Sequence, residues 1–396
     1  MQTRLPDDLL STADGQRAEA ILRACVHCGF CNATCPTYQL RGDELDGPRG
    51  RIYLIKTFLE SGEQSPRVRQ HLDRCLTCRS CETTCPSGVR YGELLEIARD
   101  KLTEDRGPWR RLVVSLLLRF VPKPRLFRAL VNLGNAVRRA LPAVLRDVVP
   151  RPTRASGYVP SARPRKVILL DGCVQRAVTP DVNEHLKRLL DARGIQCLTV
   201  ADEGCCGSLA LHLGDTQRAL AAMQNNVEAL AEVLPDAEAV ISTASGCGVT
   251  VKDYGRHLAG TYCAREAERI ADRTRDVAEY LASLGVAFAP ALPQRRIAWH
   301  APCTLQHGQR VRGIVEQLLR SAGYELTAVA DPHLCCGSAG TYSILEPELS
   351  TQLRDNKLAA LSMDAPELIA TANIGCQTHL ASAAGVPVVH WLTLLR

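Results

Sequence analysis

A chain of 396 residues carries enough sequence for two or three domains, and a hydrophobic fraction of 46% is ample for folded cores. No uninterrupted apolar stretch reaches bilayer length, and the opening MQTRLPDDLLSTADG lacks the apolar core of a secretory signal, so a cytoplasmic location is expected. The net charge of +6 is local: residues 106–166 hold fifteen Lys or Arg against the single acid Asp147, leaving −8 for the remainder.

Residues 1–107 read as one module. Cys25-x2-Cys28-x2-Cys31-x3-Cys35-Pro36 recurs as Cys75-x2-Cys78-x2-Cys81-x3-Cys85-Pro86, the spacing of two-cluster iron–sulfur proteins. Two residues between thiolates let the backbone curl around three corners of a cubane. The fourth cysteine, beside proline, is directed to the other cluster. One [4Fe–4S] cluster is therefore expected on Cys25, Cys28, Cys31 and Cys85, and a second on Cys75, Cys78, Cys81 and Cys35. Structural zinc uses paired CxxC units instead, and disulfides do not account for an interlocked repeat in a reducing compartment. Leu45 to Glu60 and Arg90 to Leu102 space apolar residues helically, as at Ile52, Leu54, Ile55, Phe58 and Leu59. The 39 residues between Cys35 and Cys75 are too many for a compact β-rich ferredoxin, so an all-α one is expected.

Residues 108–163 form a basic connector. Apolar patches alternate with arginines, and Pro122, Pro124 and Pro142 divide the segment into two or three amphipathic helices. Such helices suit packing on the flanking domains. They equally suit contact with anionic lipid or an acidic partner through Arg110, Arg111, Arg119 and Arg128. Few aromatics and no nucleic-acid-binding module argue against nucleic acid as a partner.

Residues 164–292 and 293–396 are two copies of one unit. Cys173 lies 32 residues before Cys205-Cys206-Gly207, and Cys303 lies 32 before Cys335-Cys336-Gly337; Cys247 and Cys376 follow at 41 and 40 residues. The offsets of 130, 130, 130 and 129 residues mark a duplication. In each copy a strand (KVILLDGC, RIAWHAPC) leads to the first cysteine. A helix follows (182–192; 314–322), then a strand running into CCGS, and then a strand in EAVISTASGC or ELIATANIGC. That alternation predicts parallel α/β sheets with the cysteines at the carboxyl ends of strands. Cys197 and Cys263 match no motif and read as buried thiols, while His212, His257 and His307 read as surface or satisfied core residues.

The double CCG unit resembles the cysteine-rich domain of heterodisulfide reductase catalytic subunits. Behind a helical two-cluster ferredoxin, the arrangement is similar to lactate-utilisation and anaerobic glycerol-3-phosphate dehydrogenase subunits. It most resembles the iron–sulfur subunits of bacterial glycolate oxidases. ILRACVHCGFCNATCPTYQL, GDELDGPRGRIYLIK, HLDRCLTCRSCETTCPSGVRYGELL, HLCCGSAGTY and TANIGCQTHLAS carry the likeness, which covers the chain and is weakest over 108–163. It implies an α/β protein overall: an N-terminal all-α ferredoxin, then two duplicated α/β units.

By the same resemblance, FAD and the catalytic site belong to a flavoprotein partner that oxidises glycolate to glyoxylate. This chain would pass electrons to a quinone or other acceptor, peripherally on the inner face of the cell membrane. No G-x-G-x-x-G after a strand, P-loop or nucleophile elbow occurs in it. Hydride chemistry needs a flavin or nicotinamide, so no catalytic residue is assigned here. Thiol–disulfide catalysis, as in heterodisulfide reductases, and a non-redox assembly role are the alternatives, as is membership of a lactate or glycerol-3-phosphate dehydrogenase.

In the resembling superfamily a complete CCG site has five cysteines, the last two as CxxC. Here Thr250 and His379 stand in the fifth place of the first and second copies. For Cys303, Cys335, Cys336 and Cys376 the resemblance allows a third cluster, with His379 and His300 as further ligands or hydrogen-bond donors, and leaves zinc or a vestigial thiol pocket as alternatives. For Cys173, Cys205, Cys206 and Cys247 it leaves a cluster, zinc or a vestigial thiol pocket open.

Overall fold

The computed structural model describes residues 1–102, 107–140, 149–293 and 295–396. The first of these stretches contains helices and turns and, among the described residues, no strand. Helices Ala13–Ala24, Pro48–Ser61, Pro66–Asp73 and Tyr91–Lys101 enclose a core in which Leu22, Ile55, Leu72, Leu94 and Leu95 are fully buried. Each such side chain contributes roughly 1.5–3 kcal/mol. The helix expected from Leu45 begins at Pro48, because Glu44–Asp46 form a 3-10 turn and proline is accommodated at the first helical position. It ends at Gly62, whose φ of 71° only glycine adopts freely. Ile52, Ile55, Phe58 and Leu59 form the buried stripe, and Leu54 sits at its margin.

Two four-stranded parallel sheets follow with the same strand order. The first runs β2 (Ile195–Leu198), β1 (Arg165–Leu170), β3 (Val240–Ser242), β4 (Thr274–Asp276). The second runs β6 (Glu325–Leu326), β5 (Arg296–His300), β7 (Leu368–Thr371), β8 (Val388–His390). The period of two divides their side chains between faces. Val167, Leu169 and Ile241 join Ile297, Trp299, Leu368 and Ala370 in one core shared by both units. Ile168, Leu170 and Val240 face a second core, and Ala298 and Ile369 a third. Both units are thus welded along one apolar layer.

The strands depart from the sequence reading in two ways. The strands expected to run into CCGS stop early, at Leu198 and Leu326, and loops carry the chain on to the paired cysteines. The second of these loops contains Asp331 in left-handed backbone (φ 44°) and Pro332, neither of which suits a strand. The edge strands β4 and β8 went unanticipated, each being three residues long.

In the connector, helices Pro108–Phe120 and Pro124–Ala136 are divided at Pro122 and Pro124 as expected. The third helix that the sequence allows around Pro142 falls outside the described residues. Leu118 packs against the core of the first unit, and Phe127 against Ala177, Val178 and Ile374.

Candidate metal centres

Each iron–sulfur loop of the first module contains two left-handed residues at matching places. These are His27 (φ 56°) and Gly29 (φ 84°) in the first, and Thr77 (φ 52°) and Arg79 (φ 58°) in the second. A non-glycine residue costs roughly 1–2 kcal/mol in this region, and such strain persists where the surroundings hold it at functional sites. At Gly29 a Cβ would lie 2.6 Å from Arg49 Nη1, the mobile end of a long side chain, so the positive φ rather than space is what favours glycine there. These turns wrap the backbone round two hollows.

Cys25, Cys28, Cys31 and Cys85 line the first hollow, with Cys81 at its border; Cys35, Cys75, Cys78 and Cys81 line the second. The structure therefore brings each fourth cysteine to the other motif's trio. The crossing is made where Thr34 and Thr84, each just before a fourth cysteine, meet at 3.1 Å through their hydroxyls. Two quartets of thiols are a donor set suited to [4Fe–4S] clusters. Burial raises the Cys25 thiol, lifts Cys31 to about 11, and holds Cys78 and Cys81 well above the usual range. Binding iron would displace those protons.

Behind Cys35 lies a buried charge cluster for which neither the helical spacing of GDELDGPRGRIYLIK nor its family likeness gave a signal. Asp46 is fully buried and bound by Arg41 (2.8 Å), Arg74 (3.1 Å), His71 Nδ1 (2.8 Å) and Arg51 (3.5 Å). Arg51, 1% exposed, donates to His71 O at 2.7 Å and Thr37 Oγ1 at 3.1 Å, and its Nη1 lies 4.0 Å from Cys35 Sγ. Asp43, Asp46 and His71 converge as cation ligands would, but the arginines already neutralise Asp46.

In the first α/β unit the thiols of Cys173, Cys205, Cys206 and Cys247 touch in sequence. Thr250 donates to the carbonyl of Gly246 in its own helix at 3.2 Å. In the second unit Cys303 and Cys335 lie 3.8 Å apart. The ligand atoms of His300, Cys336 and Cys376 all lie within 4.8 Å of one another. His379, placed with these cysteines by the CxxH spacing, instead puts Nε2 at 3.1 Å from Ser350 Oγ. Among the second unit's thiols, Cys303 and Cys335 pack with Cys78 of the ferredoxin module. The first unit meets that module through Arg79–Asp253 (2.8 Å) and Arg256–Glu96 (3.3 Å) instead. Cys197 and Cys263 are buried outside these groups.

His307 turns out to be a bridge. Its Nε2 meets His333 O at 3.0 Å and its Nδ1 meets Thr83 Oγ1 of the ferredoxin module at 2.8 Å. Burial, opposed by the bond to His333 O and aided by Arg312, His333 and Lys357, lowers its pKa to about 4. The unfolded chain therefore takes up this proton first, near pH 6.5. The stability that neutral His307 contributes is present above that pH and is lost as pH falls through 4, by up to about 3 kcal/mol. His307→Gln is expected to flatten the fall in denaturation midpoint between pH 7 and 4.5 relative to the parent; an unchanged fall would show that His307 does not couple the modules to pH.

Residues 21–89 match a family described as "4Fe-4S dicluster domain", and residues 167–252 and 297–381 each match "Cysteine-rich domain". The chain is 47% identical over its whole length to the glycolate oxidase iron-sulfur subunit of Escherichia coli, covering 98% of that protein. It belongs to the family of glycolate oxidase iron–sulfur subunits. A probable member from Bacillus subtilis is 31% identical over 90% of this chain and 88% of its own. A hypothetical protein from Helicobacter pylori shares the fold at a TM-score of 0.56 and 10% identity, over 96% of this chain and 71% of its own. Family membership identifies the first module as a two-cluster iron–sulfur domain in an oxidoreductase complex.

Proposed function

We propose that this chain is the electron-transfer subunit of a glycolate-oxidising complex. Glycolate loses two electrons and two protons to become glyoxylate, with hydride passing to a flavin on a partner chain. Cys25, Cys28, Cys31 and Cys85 would hold one [4Fe–4S] cluster, and Cys75, Cys78, Cys81 and Cys35 the other. When bound, the clusters carry single electrons. The observation that carries this reading is the pair of interlocked quartets in a full-length relative of a glycolate oxidase subunit.

The first hollow reaches the surface. Cys28 is exposed and is flanked by exposed Val26, Phe30 and Tyr53. Apolar side chains around a solvent-facing ligand suit docking of the flavoprotein. Co-purification from the native host tests the reading: a flavoprotein with glycolate-dependent dye reduction is expected, and its absence from a brown, eight-iron protein would contradict it.

We assign membrane contact to the connector's outer face, toward a lipid-soluble quinone. Trp109, Leu112, Leu116, Leu126, Leu130, Leu133 and Val137 are exposed there among Arg119, Lys123, Arg125 and Arg128. Arg110 drops out of the lipid-facing set, because it pairs with Glu346 at 2.9 Å and Asp73 at 3.5 Å. No helix among the described residues is long and apolar enough to cross a membrane. Each cation near an anionic surface contributes roughly 1 kcal/mol. Changing Arg119, Lys123, Arg125 and Arg128 together to Gln is expected to weaken binding to anionic phospholipid vesicles roughly a thousandfold. Unchanged vesicle binding would move this face to a protein interface.

A further inference from the structure

The two cysteine-rich units differ at one matched position. Leu170 ends β1 and His300 ends β5, each three residues before the first cysteine of its unit. Leu170 packs into an apolar core. His300 is 1% exposed and has a buried Nε2 without a hydrogen-bond partner. Its Nδ1 lies 2.9 Å from Thr371 Oγ1, on the strand residue paired with it in register. A proton on Nδ1 directed at Thr371 leaves the buried Nε2 lone pair free, and a ring nitrogen of His300 lies within 4.8 Å of the Cys336 and Cys376 thiols. That is how metal-bound histidines are commonly held.

We propose that the second unit holds a single zinc-type ion on His300 Nε2 and the thiolates of Cys336, Cys376 and Cys335. The spacing supports one ion. Bonds of about 2.3 Å to sulfur and 2.0–2.1 Å to nitrogen in a tetrahedron separate the donors by roughly 3.5–3.8 Å. The ligand atoms of His300, Cys336 and Cys376 lie within 4.8 Å of one another, close enough for such a tetrahedron to form with shifts of about an ångström or less. Cys335 is the natural fourth donor, since its thiol touches that of Cys336. Donors already point at two of the sulfurs: Asn373 Nδ2 donates to Cys376 Sγ at 3.7 Å, and the Gly337 amide donates to Cys335 Sγ at 3.5 Å.

Charge points the same way. Three thiolates and a divalent ion sum to −1. Lys357 is 3% exposed, and among the described residues no carboxylate lies within ion-pair distance of its ammonium, which donates to Asp331 O and Pro332 O. A buried cation needs a counter-charge, and the anionic centre beside it supplies one. At the matching position of the corresponding helix the first unit has neutral Asn226.

The test is metal analysis with zinc K-edge absorption on the full-length, cluster-loaded protein. The parent is expected to show about 2.3 Å sulfur and 2.0–2.1 Å nitrogen distances with imidazole scattering. His300→Leu, which copies the first unit, should lose one zinc per chain and the imidazole signal while keeping eight irons. His379→Ala should keep both. If His300→Leu does not fold, His300→Cys should restore one zinc with an all-sulfur shell. Full zinc retention in His300→Leu, or zinc loss in His379→Ala alone, would overturn the assignment. So would iron and acid-labile sulfide beyond eight per chain at this site.

Discussion

Cys35→Ser is expected to abolish the cluster of Cys75, Cys78 and Cys81, 40 or more residues away in sequence, and to spare the one on Cys25, Cys28 and Cys31. The crossing at Thr34 and Thr84 sends Cys35 into the second hollow and Cys85 into the first. Iron should fall from eight toward four per chain, and one of two reduced-state EPR signals should disappear. Cys85→Ser should remove the other signal. The two variants are then distinguishable, because the second hollow has Arg51 in its wall while the first opens at Cys28. Loss of the first cluster on changing Cys35 would mean that each motif closes its own cubane.

Asp46→Ala should be the most destabilising substitution outside the cysteines. The carboxylate sits at 0% exposure among three arginines and His71, and Arg51 has almost no access to water. Removing one member of a buried ionic group leaves the others unpaired, at roughly 3–5 kcal/mol. Thermal unfolding of the cluster-loaded protein, followed by circular dichroism and by bleaching of its visible absorbance, measures this. Asp46→Leu combined with Arg51→Met should cost less than the sum of the two single changes, since together they remove charge and counter-charge. A loss within about 0.5 kcal/mol for Asp46→Ala would show that the arginines are neutralised elsewhere.

What could be read from residues alone follows the range of the interaction. Cysteine spacing and the duplicated offsets are short-range or repeated signals, and the cysteine groups they suggested do come together in space. The helix at Pro48–Ser61 was legible because it buries one stripe, and the one at Tyr91–Lys101 because its apolar residues recur at helical spacing, although Glu93 and Arg99 are buried as well. The Asp46 cluster was not, because its partners come from four separate places in the chain and no local pattern marks a charge for burial. His379 was favoured over His300 because it fills a CxxH spacing. In the fold it turns to Ser350, while His300 is aimed by the pairing of β5 with β7. Arg110 read as one of several surface cations until Glu346, 236 residues away, appeared beside it.

On the proposed function this chain conducts electrons that a flavoprotein partner takes from glycolate. Anaerobic addition of glycolate to the purified complex, with EPR of the frozen sample, tests this. Signals from both reduced clusters should appear with glyoxylate formed, while this chain alone, at eight irons, leaves glycolate unconsumed. Clusters that stay oxidised while the flavoprotein turns over, or glycolate consumed by this chain alone, would contradict the account.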